Sequence, residues 1–535
     1  MPRIYTSNRA SERELATPDL VASLPHRISD IPTLASGGGA NAALRHGARM
    51  WTYAQLVDAF THASRSLTAA GVRGGDRVLV VGENCPEMLA LLFAVSSIDA
   101  WPVIVNARLS AREIAAISTH CTPRRRLFLT AASSDAAAHA TRAGTEESIV
   151  IPAMPAVAMS ARDDACKAEP VHDGSARQVA ALIYTTGTTG EPKGVMLSHR
   201  NLLFIARLSS ALRSLRPSDR VYGVLPISHV YGLASVSLGT LYGGGCLVLQ
   251  TRYTPEAMRD ALTGADALTM LQGVPSMYAK LLDRVESDGA CPAVPLLRAC
   301  FSGGAPLDPV LKRRFEERFA VTLQNGYGLT EASPTIAHTR LDAPRGDCAV
   351  GPLLPGVEAR LVDARHHDGR DAPADEAGEL WVRGSNVMLG YYRNEALTAA
   401  TVDAEGWLNT GDLARFDPDG ALMIVGRTKE LIIRSGFNVY PAEVEAVLNA
   451  HPAILLSAVV GRAVTGNEEV VAFVQLRPGA RTNADALAAH ARALLAPYKQ
   501  PAEIRIVESL PVAANGKVLK HRLSEGISRA VATPS

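Results

Sequence analysis

The sequence predicts an α/β fold in which a large N-terminal domain, made of two α/β units and a β-rich unit, precedes a small α+β C-terminal domain. The 535 residues amount to about 3.6 domain-equivalents, which exceeds a single small core. Helix-like and strand-like patterns alternate in two stretches of the first 341 residues, as they do in parallel sheets. Short strands and Asp-Gly turns then replace this alternation between residues 351 and 425, which is typical of a β-rich unit.

The first α/β unit is expected between residues 51 and 105. Apolar residues at helical spacing predict helices over Tyr53–Ala69 and Glu87–Ile98, and apolar runs predict strands over Arg77–Val81 and Pro102–Val105. Residues 131–178 are rich in Ala, Ser and charged residues, so we interpret them as a variable surface connection without chemistry.

The second α/β unit is expected over residues 179–341. Its strand candidates are VAALIY, VYGVLP, CLVLQ, ALTMLQGV, LRACFSG and VTLQNGYG. A β-rich unit of about residues 345–425 follows, with strand candidates VEARLVD, GELWVRG and ALMIVG.

The C-terminal domain is expected to begin at the turn near Lys429, which divides the chain into residues 1–427 and 428–535. Its predicted helices are Pro441–Asn449 and Asn483–Leu495, and its strand candidates are LLSAVVG, VVAFVQL and EIRIVE.

Charge and cysteine content exclude several classes of protein. Lys and Arg total 54 against 53 Asp and Glu, so we expect no nucleic-acid partner, and any phosphate site must be local. The seven cysteines are scattered without a CxxC pair, which favours reduced thiols over disulfides or zinc. The charged N-terminus lacks an apolar signal region, so we expect a cytoplasmic protein. The oligomeric state stays open, a homodimer included.

One uncharged stretch, Val221–Thr251, is long enough to suggest a membrane span if His229 is neutral. Pro226, Gly232 and Gly239 interrupt it, and it divides into strand-like and helix-like parts. We therefore interpret it as buried core and expect no membrane span.

The segment YTTGTTGEPKG, residues 184–194, carries the clearest chemistry. It follows the strand candidate VAALIY and concentrates four Thr, three Gly and one Lys. Glycines let backbone N–H groups approach an anion, and hydroxyls and Lys193 add donors and charge, which suits a polyphosphate. The Walker pattern GxxxxGK[ST] does not fit this segment.

This segment strongly resembles the phosphate-binding signature of the adenylate-forming superfamily, in its acyl-CoA synthetase branch of fatty-acyl and aryl-CoA ligases. Further stretches resemble that family's motifs in the family's order, over roughly residues 45–525. They are LPISHVYGL (225–233), FSGGAPL (301–307), NGYGLTEASP (325–334), GELWVRG (378–384), GWLNTGDLARFDPDG (406–420), GRTKELIIRSGFNVYPAEVE (426–445) and LPVAANGKVLKHRL (510–523).

The resemblance implies that ATP, Mg²⁺ and coenzyme A are used. The residues implied for ATP are Thr185, Thr186, Gly187, Thr188, Thr189, Gly190, Lys193, Gly303, Gly304, Ala305, Asn325, Tyr327, Gly328, Thr330, Asp412 and Arg427. Tyr327 would stack on the adenine, and Asp412 with Arg427 would hold the ribose. Without the resemblance, Asp412 could equally be an Asx-turn residue, and Tyr327 would be read as core packing.

The resemblance also assigns catalytic roles. Glu331 would bind Mg²⁺ and Thr330 the α-phosphate, although Glu331 alone would be read as a solvated charge. Lys517, after the Asn-Gly turn, would contact the acid and the α-phosphate, and Thr186 and Lys193 would assist. The acid's carboxylate is ionised at neutral pH, so its attack on the α-phosphorus of ATP needs no general base.

The second step would transfer the acyl group to coenzyme A after the C-terminal domain rotates. The resemblance places the hinge of this mobile domain at Lys429 and the path of the pantetheine arm at Gly436. Without the resemblance, Lys429 would be read as a surface charge.

The absence of charged residues from the expected acyl pocket restricts the class of acid substrate. His229 occupies the family's substrate-gate position, although it could equally be a core residue. The segments expected to line the acyl pocket, residues 229–235, 272–276, 301–305 and 327–330, contain no Asp, Glu, Lys or Arg. A charged tail would be buried unpaired there, so amino acids and short dicarboxylates such as malonate are disfavoured, and we expect a fatty or aryl acid with an uncharged tail.

Two alternatives stay open on the sequence. One is another member of the superfamily, either an acyl-AMP ligase that delivers the acyl group to a separate carrier protein or a luciferase-like oxygenase. The other is a catalytically inactive nucleotide-binding homologue, against which the joint presence of Lys193, Glu331, Asp412, Arg427 and Lys517 argues.

Overall fold

A computed structural model of the chain describes most of its residues. They are 3–7, 9–35, 39–145, 147–152, 154–186, 192–289, 292–363, 369–373, 376–434, 437–464, 467–477, 479–512 and 518–524.

Strands alternate with helices along most of the chain. The strands up to Arg427 are β1 (Ala42–His46), β2 (Arg49–Thr52), β3 (Arg77–Gly82), β4 (Trp101–Asn106), β5 (Arg125–Phe128), β6 (Glu147–Ile149), β7 (Val157–Met159), β8 (Val179–Thr186), β9 (Pro192–Ser198), β10 (Arg220–Gly223), β11 (Cys246–Leu249), β12 (Met270–Gly273), β13 (Ala299–Ser302), β14 (Leu323–Gly328), β15 (Thr335–His338), β16 (Val357–Val362), β17 (Gly378–Gly384), β18 (Gly390–Tyr391), β19 (Leu408–Phe416) and β20 (Leu422–Arg427). The later strands are β21 (Ile432–Arg434), β22 (Phe437–Val439), β23 (Ile454–Val464), β24 (Asn467–Leu476) and β25 (Glu503–Val507).

The α-helices are α1 (Pro18–Ala22), α2 (Ile31–Leu34), α3 (Tyr53–Ala69), α4 (Pro86–Ser97), α5 (Ala111–Cys121), α6 (Ser134–Arg142), α7 (His199–Leu212), α8 (Gly239–Tyr242), α9 (Pro255–Ala261), α10 (Pro275–Ser287), α11 (Pro309–Phe319), α12 (Glu395–Thr401), α13 (Pro441–Asn449) and α14 (Ala484–Leu494). Short 3₁₀ turns cover Ala10–Ala16, Ile28–Asp30, Thr330–Ala332, Thr428–Glu430 and Pro497–Lys499, and a π-helical segment covers Tyr231–Leu238.

Two large sheets form the centre of the N-terminal domain. In the described residues, one has the strand order β15-β14-β13-β12-β10-β11-β1-β2 and the other β18-β9-β8-β4-β3-β5-β7-β6. Their central strands are parallel, and the outer pairs are antiparallel. The fold is therefore α/β with two α/β units, as predicted.

Strand β3 shows why the sheets lie inside the domain. Val78 and Val80 pack into a core shared by helices α3, α4 and α7 and both sheets, whereas Leu79 and Val81 pack on the opposite side against α5. Successive side chains of a strand point to opposite faces, so a continuous apolar run indicates a strand that is covered on both faces.

The division of strands between the sheets differs from the prediction. We placed VAALIY in the second α/β unit, yet β8 pairs in parallel with β4 of the first unit. The second sheet gains β1 and β2 instead, and β1 pairs with β11. Sequence order alone could not assign these partners, because strand pairing depends on contacts between distant segments.

The interpretation of residues 131–178 as a surface connection was incomplete. Helix α6 and strands β6 and β7 lie within it, and β7 extends the sheet by pairing with β5. Ile149, Val157 and Met159 are buried in the main core. The apolar residues of this segment are few but sit on the strand faces that meet the core.

The uncharged stretch Val221–Thr251 lies inside the domain as β10, the π-helical segment, α8 and β11. No helix in the described ranges is long and apolar enough to cross a membrane. Gly232 permits the tight entry into the π-helical segment, because a Cβ there would stand 2.2 Å from the carbonyl oxygen of Pro226.

The β-rich unit and the C-terminal residues follow the predicted pattern. Strands β16, β17, β19 and β20 form an antiparallel sheet in the order β16-β17-β19-β20. After the hairpin β21–β22, strands β23, β24 and β25 form a sheet, against which Val444 of α13 and Leu487 of α14 are buried. The predicted boundary after Arg427 coincides with the end of β20 and stays a prediction.

Candidate active site

The β19–β20 ladder brings together Asp412 and Arg427, the two residues that the sequence predicts for ribose binding. The two residues are direct cross-strand partners, and Arg427 Nε lies 3.1 Å from Asp412 Oδ1. Asp412 is only 4% exposed, whereas Arg427 is exposed. A carboxylate anchored on one side by a guanidinium keeps a fixed direction, which suits recognition of neighbouring hydroxyls.

Tyr327, on strand β14 of a large N-terminal sheet, contacts Asp412 of this pair. Its hydroxyl donates to Asp412 Oδ2 at 2.6 Å, which links β14 to β19. Burial, with the Asp412 charge as a further cause, raises the pKa of Tyr327 well above its usual value, so the phenol stays protonated and donates. Its ring is half-buried, and the bond through its hydroxyl fixes the ring plane.

A glycine turn follows strand β13 at the predicted adenine position. Gly303 is buried, and a Cβ on it would stand 3.2 Å from the ring of Tyr231. Gly304 is exposed with φ of +78°, and its missing Cβ would have only Val274 within 4 Å. With Ala305 half-buried beside them, these residues leave a flat, open backbone on which a planar ring can lie.

Glu331 and Thr330 lie in the 3₁₀ turn after β14. Gly328 allows the chain to fold back before this turn, because a Cβ there would stand 1.9 Å from the carbonyl oxygen of Pro334. Glu331 Oε1 accepts a hydrogen bond from Tyr391 Oη at 2.8 Å, and Thr330 is 7% exposed.

Tyr391 connects Glu331 with the phosphate-type loop. It lies on β18, where it pairs with Val195 of β9, two residues after Lys193. The same tyrosine therefore links the Glu331 carboxylate to strand β9, which follows the loop. Burial, with Glu331 as a further cause, raises the pKa of Tyr391, so its hydroxyl donates at neutral pH.

The loop itself joins the antiparallel strands β8 and β9. Thr185 pairs with Lys193, and Thr186 pairs with Pro192, at its base. The predicted contacts Gly187, Thr188, Thr189 and Gly190 lie outside the described residues, as does the side chain of Thr186.

Two predicted residues have their own structural partners. Asn325 is 4% exposed and donates from Nδ2 to the carbonyl oxygen of Cys348 at 2.8 Å, which anchors β14. His229 is half-buried, and its Nδ1 accepts from the backbone N–H of Tyr231 at 3.2 Å. Because Nδ1 accepts, Nε2 carries the proton in the neutral ring.

The predicted hinge and catalytic lysine fall near a contact that the sequence did not indicate. Lys429 is exposed in the 3₁₀ turn Thr428–Glu430, whereas Gly436 and Lys517 lie outside the described residues. Lys520 Nζ lies 3.0 Å from Glu430 and 2.8 Å from Glu445. No spacing in the sequence indicates this link, because Glu430 is ninety residues away.

Arg213 was also missed. It lies at the C-terminal end of α7, is 3% exposed, and donates to the carbonyl oxygen of Ser235 at 3.1 Å. Its guanidinium carbon is 4.9 Å from the ring centroid of Phe301. The predicted acyl segments contain Ser235 and Phe301 and are uncharged, but they pack against this buried cation.

The chain is similar to known proteins over most of its length. The family model described as AMP-binding enzyme matches residues 34–392, and the AMP-binding enzyme C-terminal domain matches residues 443–517. Feruloyl-CoA synthase of Amycolatopsis sp is 35% identical over 489 residues, which cover 89% of this chain and 94% of that protein. Sulfoacetate–CoA ligase of Cupriavidus necator is 33% identical over 480 residues, with 88% and 92% covered.

A solved structure shows the same fold. ATP-bound MatB from Rhodopseudomonas palustris superposes with a TM-score of 0.81 at 30% identity, over 94% of this chain and 99% of that one. The family models match well over half of the chain, and the relatives are matched over most of their length. The chain therefore belongs to the AMP-binding enzyme family, in its AMP-forming acid–CoA ligase branch.

Proposed function

We propose that this protein is an ATP-dependent carboxylic acid–CoA ligase, which forms an acyl-AMP with release of pyrophosphate and then transfers the acyl group to coenzyme A. The observation that carries the proposal is the position of Tyr391. Its backbone pairs with Val195, two residues after Lys193, and its hydroxyl donates to Glu331. The strand that leaves the donor-rich segment is thus linked through one tyrosine to a carboxylate, and a nucleoside triphosphate with its metal ion requires both groups.

ATP would lie between the large sheet that contains β13 and β14 and the antiparallel sheet that contains β19 and β20. Its adenine would rest on Gly303–Ala305 beside Tyr327, and its ribose hydroxyls would bind Asp412 and Arg427. The hydrogen bond between Tyr327 and Asp412 supports this placement, because it fixes the base and the sugar positions relative to each other. The phosphates would then extend toward Thr185–Gly190 and Lys193.

Mg²⁺ fits the residues that are present. In the described part of the chain no group of three or more His, Cys, Asp or Glu side chains could hold a metal ion. A single carboxylate such as Glu331 nevertheless suits Mg²⁺, which takes one or two carboxylates together with phosphate oxygens and waters. The ion would neutralise phosphate charge, and Tyr391 would orient the Glu331 carboxylate toward it.

The first step needs orientation more than acid–base chemistry. A carboxylate oxygen of the acid forms a bond to the α-phosphorus while the bond from that phosphorus to the bridging oxygen breaks, and pyrophosphate leaves. The carboxylate is already ionised at pH 7. Lys517, Thr186, Lys193 and Thr330 would hold the acid and the α-phosphate in line and stabilise the charge that develops.

The second step is attack of the coenzyme A thiol on the acyl carbon. The carbon–oxygen bond to AMP breaks, and the thiol proton passes to solvent or to a group at the site. We assign His229 to the entrance of the acid's pocket, next to Tyr231. We further propose that rotation about Lys429 removes Lys517 and brings Gly436 to the pantetheine path.

We propose that the substrate acid has an alkyl or aryl group, that is, that it is a fatty or an aryl acid. Among similar proteins, one is named for an aryl acid, as a feruloyl-CoA synthase, and another for a short anionic acid, as a sulfoacetate–CoA ligase. The expectation of an uncharged tail took no account of Arg213, which lies outside the segments used to derive it.

Release of AMP and pyrophosphate from a panel of acids, with and without coenzyme A, tests the proposal. We expect pyrophosphate release with a subset of acids, and a thioester only when coenzyme A is present. Pyrophosphate release with no thioester on addition of coenzyme A would favour an acyl-AMP ligase that uses a carrier protein, and would contradict the ligase assignment.

A further inference from the structure

Arg213 is a buried cation without an ion-pair partner among the described residues. Its side chain makes one hydrogen bond, to the carbonyl oxygen of Ser235 at 3.1 Å, and lies over the face of Phe301. Its Nε has no hydrogen-bond partner. Arginine keeps its proton in proteins, so this position carries a positive charge inside the domain.

The cation lies beside the acyl pocket of the proposed function. Phe301 and Gly303 are two residues apart on the same extended segment, so they face the same side. Tyr231 packs over Gly303, and Arg213 packs over Phe301. Ser235, which Arg213 contacts, is one helical turn beyond Tyr231. Arg213 therefore lies farther from His229 along the same wall than Tyr231 does.

Other polar atoms on this wall also lack partners. Gln272 and Gln324 flank Phe301 in the parallel register of β12, β13 and β14, and registered residues of parallel strands point to one face. Both are at most 2% exposed, and the Oε1 atom of each has no hydrogen-bond partner. His338, whose ring meets Phe301 edge-on at 6.0 Å, has an unpartnered Nε2. We call Arg213, Gln272, Phe301, Gln324 and His338 the Arg213 cluster.

The local contacts do not balance the charge. A cation at a helix C-terminus gains a little stability from the helix dipole. Burying an unpaired charge costs considerably more than that. The polar side chains of the cluster do not use all of their hydrogen-bonding atoms on one another, so they have capacity for a further polar group. The charge of Arg213 makes an anion the complementary group, and either amide can rotate to present its NH₂ to it.

We propose that Arg213 determines specificity by binding an anionic group, a second carboxylate or a sulfonate, at the far end of the acid substrate. The inference rests on the proposed ligase function and names the class of acid. The reacting carboxylate would lie near His229, and the distal anion would meet the guanidinium of Arg213 with the amides of Gln272 and Gln324 beside it.

Matched pairs of acids test the proposal on the wild-type protein. The pairs are adipic and hexanoic acid, 3-sulfopropanoic and butanoic acid, and 4-carboxycinnamic and cinnamic acid. Pyrophosphate release with ATP is measured for each. We expect a higher kcat/KM for the anionic member of at least one pair. Release with the uncharged members alone would keep the ligase function and overturn the inference, and no release from any acid would count against both.

Variants then assign the preference to Arg213. In Arg213→Met the KM of the preferred anionic acid should rise on the order of 100-fold, because a buried charge partner is lost, while the uncharged member is used as well as before or better. Arg213→Lys keeps the charge and should keep part of the preference. Arg216→Met, an exposed arginine three residues on, should change neither. Equal losses for both members of a pair in Arg213→Met would assign Arg213 a structural role and overturn the inference.

Discussion

Arg427 lies directly opposite Asp412 in the β19–β20 ladder, with its Nε 3.1 Å from Asp412 Oδ1, and Tyr327 donates to the other carboxylate oxygen at 2.6 Å. Both oxygens are thus held, and the carboxylate is 4% exposed. Gly411, with φ of +68°, makes the turn that presents it. The carboxylate that we propose for ribose binding is therefore held in one orientation by two other side chains of the fold.

Asp412→Asn keeps the side-chain shape and removes the charge. Hydrogen bonds to charged groups contribute about 1.5–3 kcal/mol, so we expect the KM for ATP to rise roughly 10- to 150-fold. The KM of the acid should change little, because the acid binds elsewhere. Initial rates of pyrophosphate release at varied ATP concentrations measure both values.

Asp419→Asn is the matched control for Asp412→Asn. Asp419 is an aspartate in the turn that joins β19 to β20; it also pairs with an arginine, Arg345, but it is largely exposed. We expect its KM for ATP to stay within about twofold of wild type, since surface ion pairs contribute little. A rise equal to that of Asp412→Asn would show that loss of charge in this sheet, and not loss of a ribose contact, lowers affinity.

His199 makes the stability of the fold depend on pH. Its ring is fully buried, Nδ1 accepts from the backbone N–H of Ile28 at 3.1 Å, and Nε2 has no partner. Burial lowers the pKa of His199 to about 3. The unfolded chain binds a proton near pH 6.5 and the folded chain does not, so stability falls by about 1.4 kcal/mol per pH unit from pH 6.5 toward pH 3.

His199→Asn removes this proton and keeps an acceptor for Ile28. We expect a lower midpoint of urea unfolding at pH 7, because the ring is lost, but a smaller fall of that midpoint between pH 6.5 and pH 4. His62→Asn, at an exposed histidine on α3, should keep the wild-type slope. An unchanged slope in His199→Asn would mean that His199 is protonated in the folded state.

Much of the fold could be predicted because its signals are local. The helix Tyr53–Ala69 was predicted with its correct bounds, since Thr52 and Gln55 form a capping box and the apolar spacing continues to the end. The partner of β8 was not predictable in this way, because the strand is apolar on both faces and fits next to several neighbours.

The residues of the candidate site also fall into two groups, those that local sequence motifs predict and those that they do not. Asp412, Glu331 and Lys193 stand in short motifs whose residues are adjacent in sequence. Arg213 stands outside every motif, and Lys520 lies in the stretch 510–523, whose pattern gives it no role. What distinguishes both residues is burial or contact with residues that are distant in sequence. A single sequence shows a charge and its neighbours, but burial depends on how helices and strands pack.

Lys520 links the start of the C-terminal domain with its last helical turn. Its Nζ lies between Glu430 and Glu445. Burial alone would lower the pKa of Lys520, but these carboxylates raise it above the usual value, so the side chain is charged. Val512 and Val518, which flank the stretch that contains Lys517, form a β-bridge. We therefore expect Lys520 to anchor the chain just after Lys517 and to act as a positioning residue.

Lys520→Met should lower the kcat of adenylation about tenfold with little change in the KM for ATP, because the chain after Lys517 loses its anchor while the residues proposed to bind ATP are unchanged. Lys520→Arg should restore most of the rate, since it can bridge the same carboxylates. Thermal unfolding of both variants serves as the control. A parallel rise in the KM for ATP would assign Lys520 to nucleotide binding and contradict the positioning role.

Lys517→Ala separates the two half-reactions of the proposed function. Removing a charged donor from the α-phosphate should slow adenylation at least about 100-fold. Thiolysis of supplied acyl-AMP by coenzyme A should survive, because Lys517 would have rotated away before that step. Lys499→Ala, which breaks the pair with Glu443 in the same domain, should affect neither step. An equal loss of adenylation and thiolysis in Lys517→Ala would contradict the rotation, since a residue that leaves the site between steps cannot serve both.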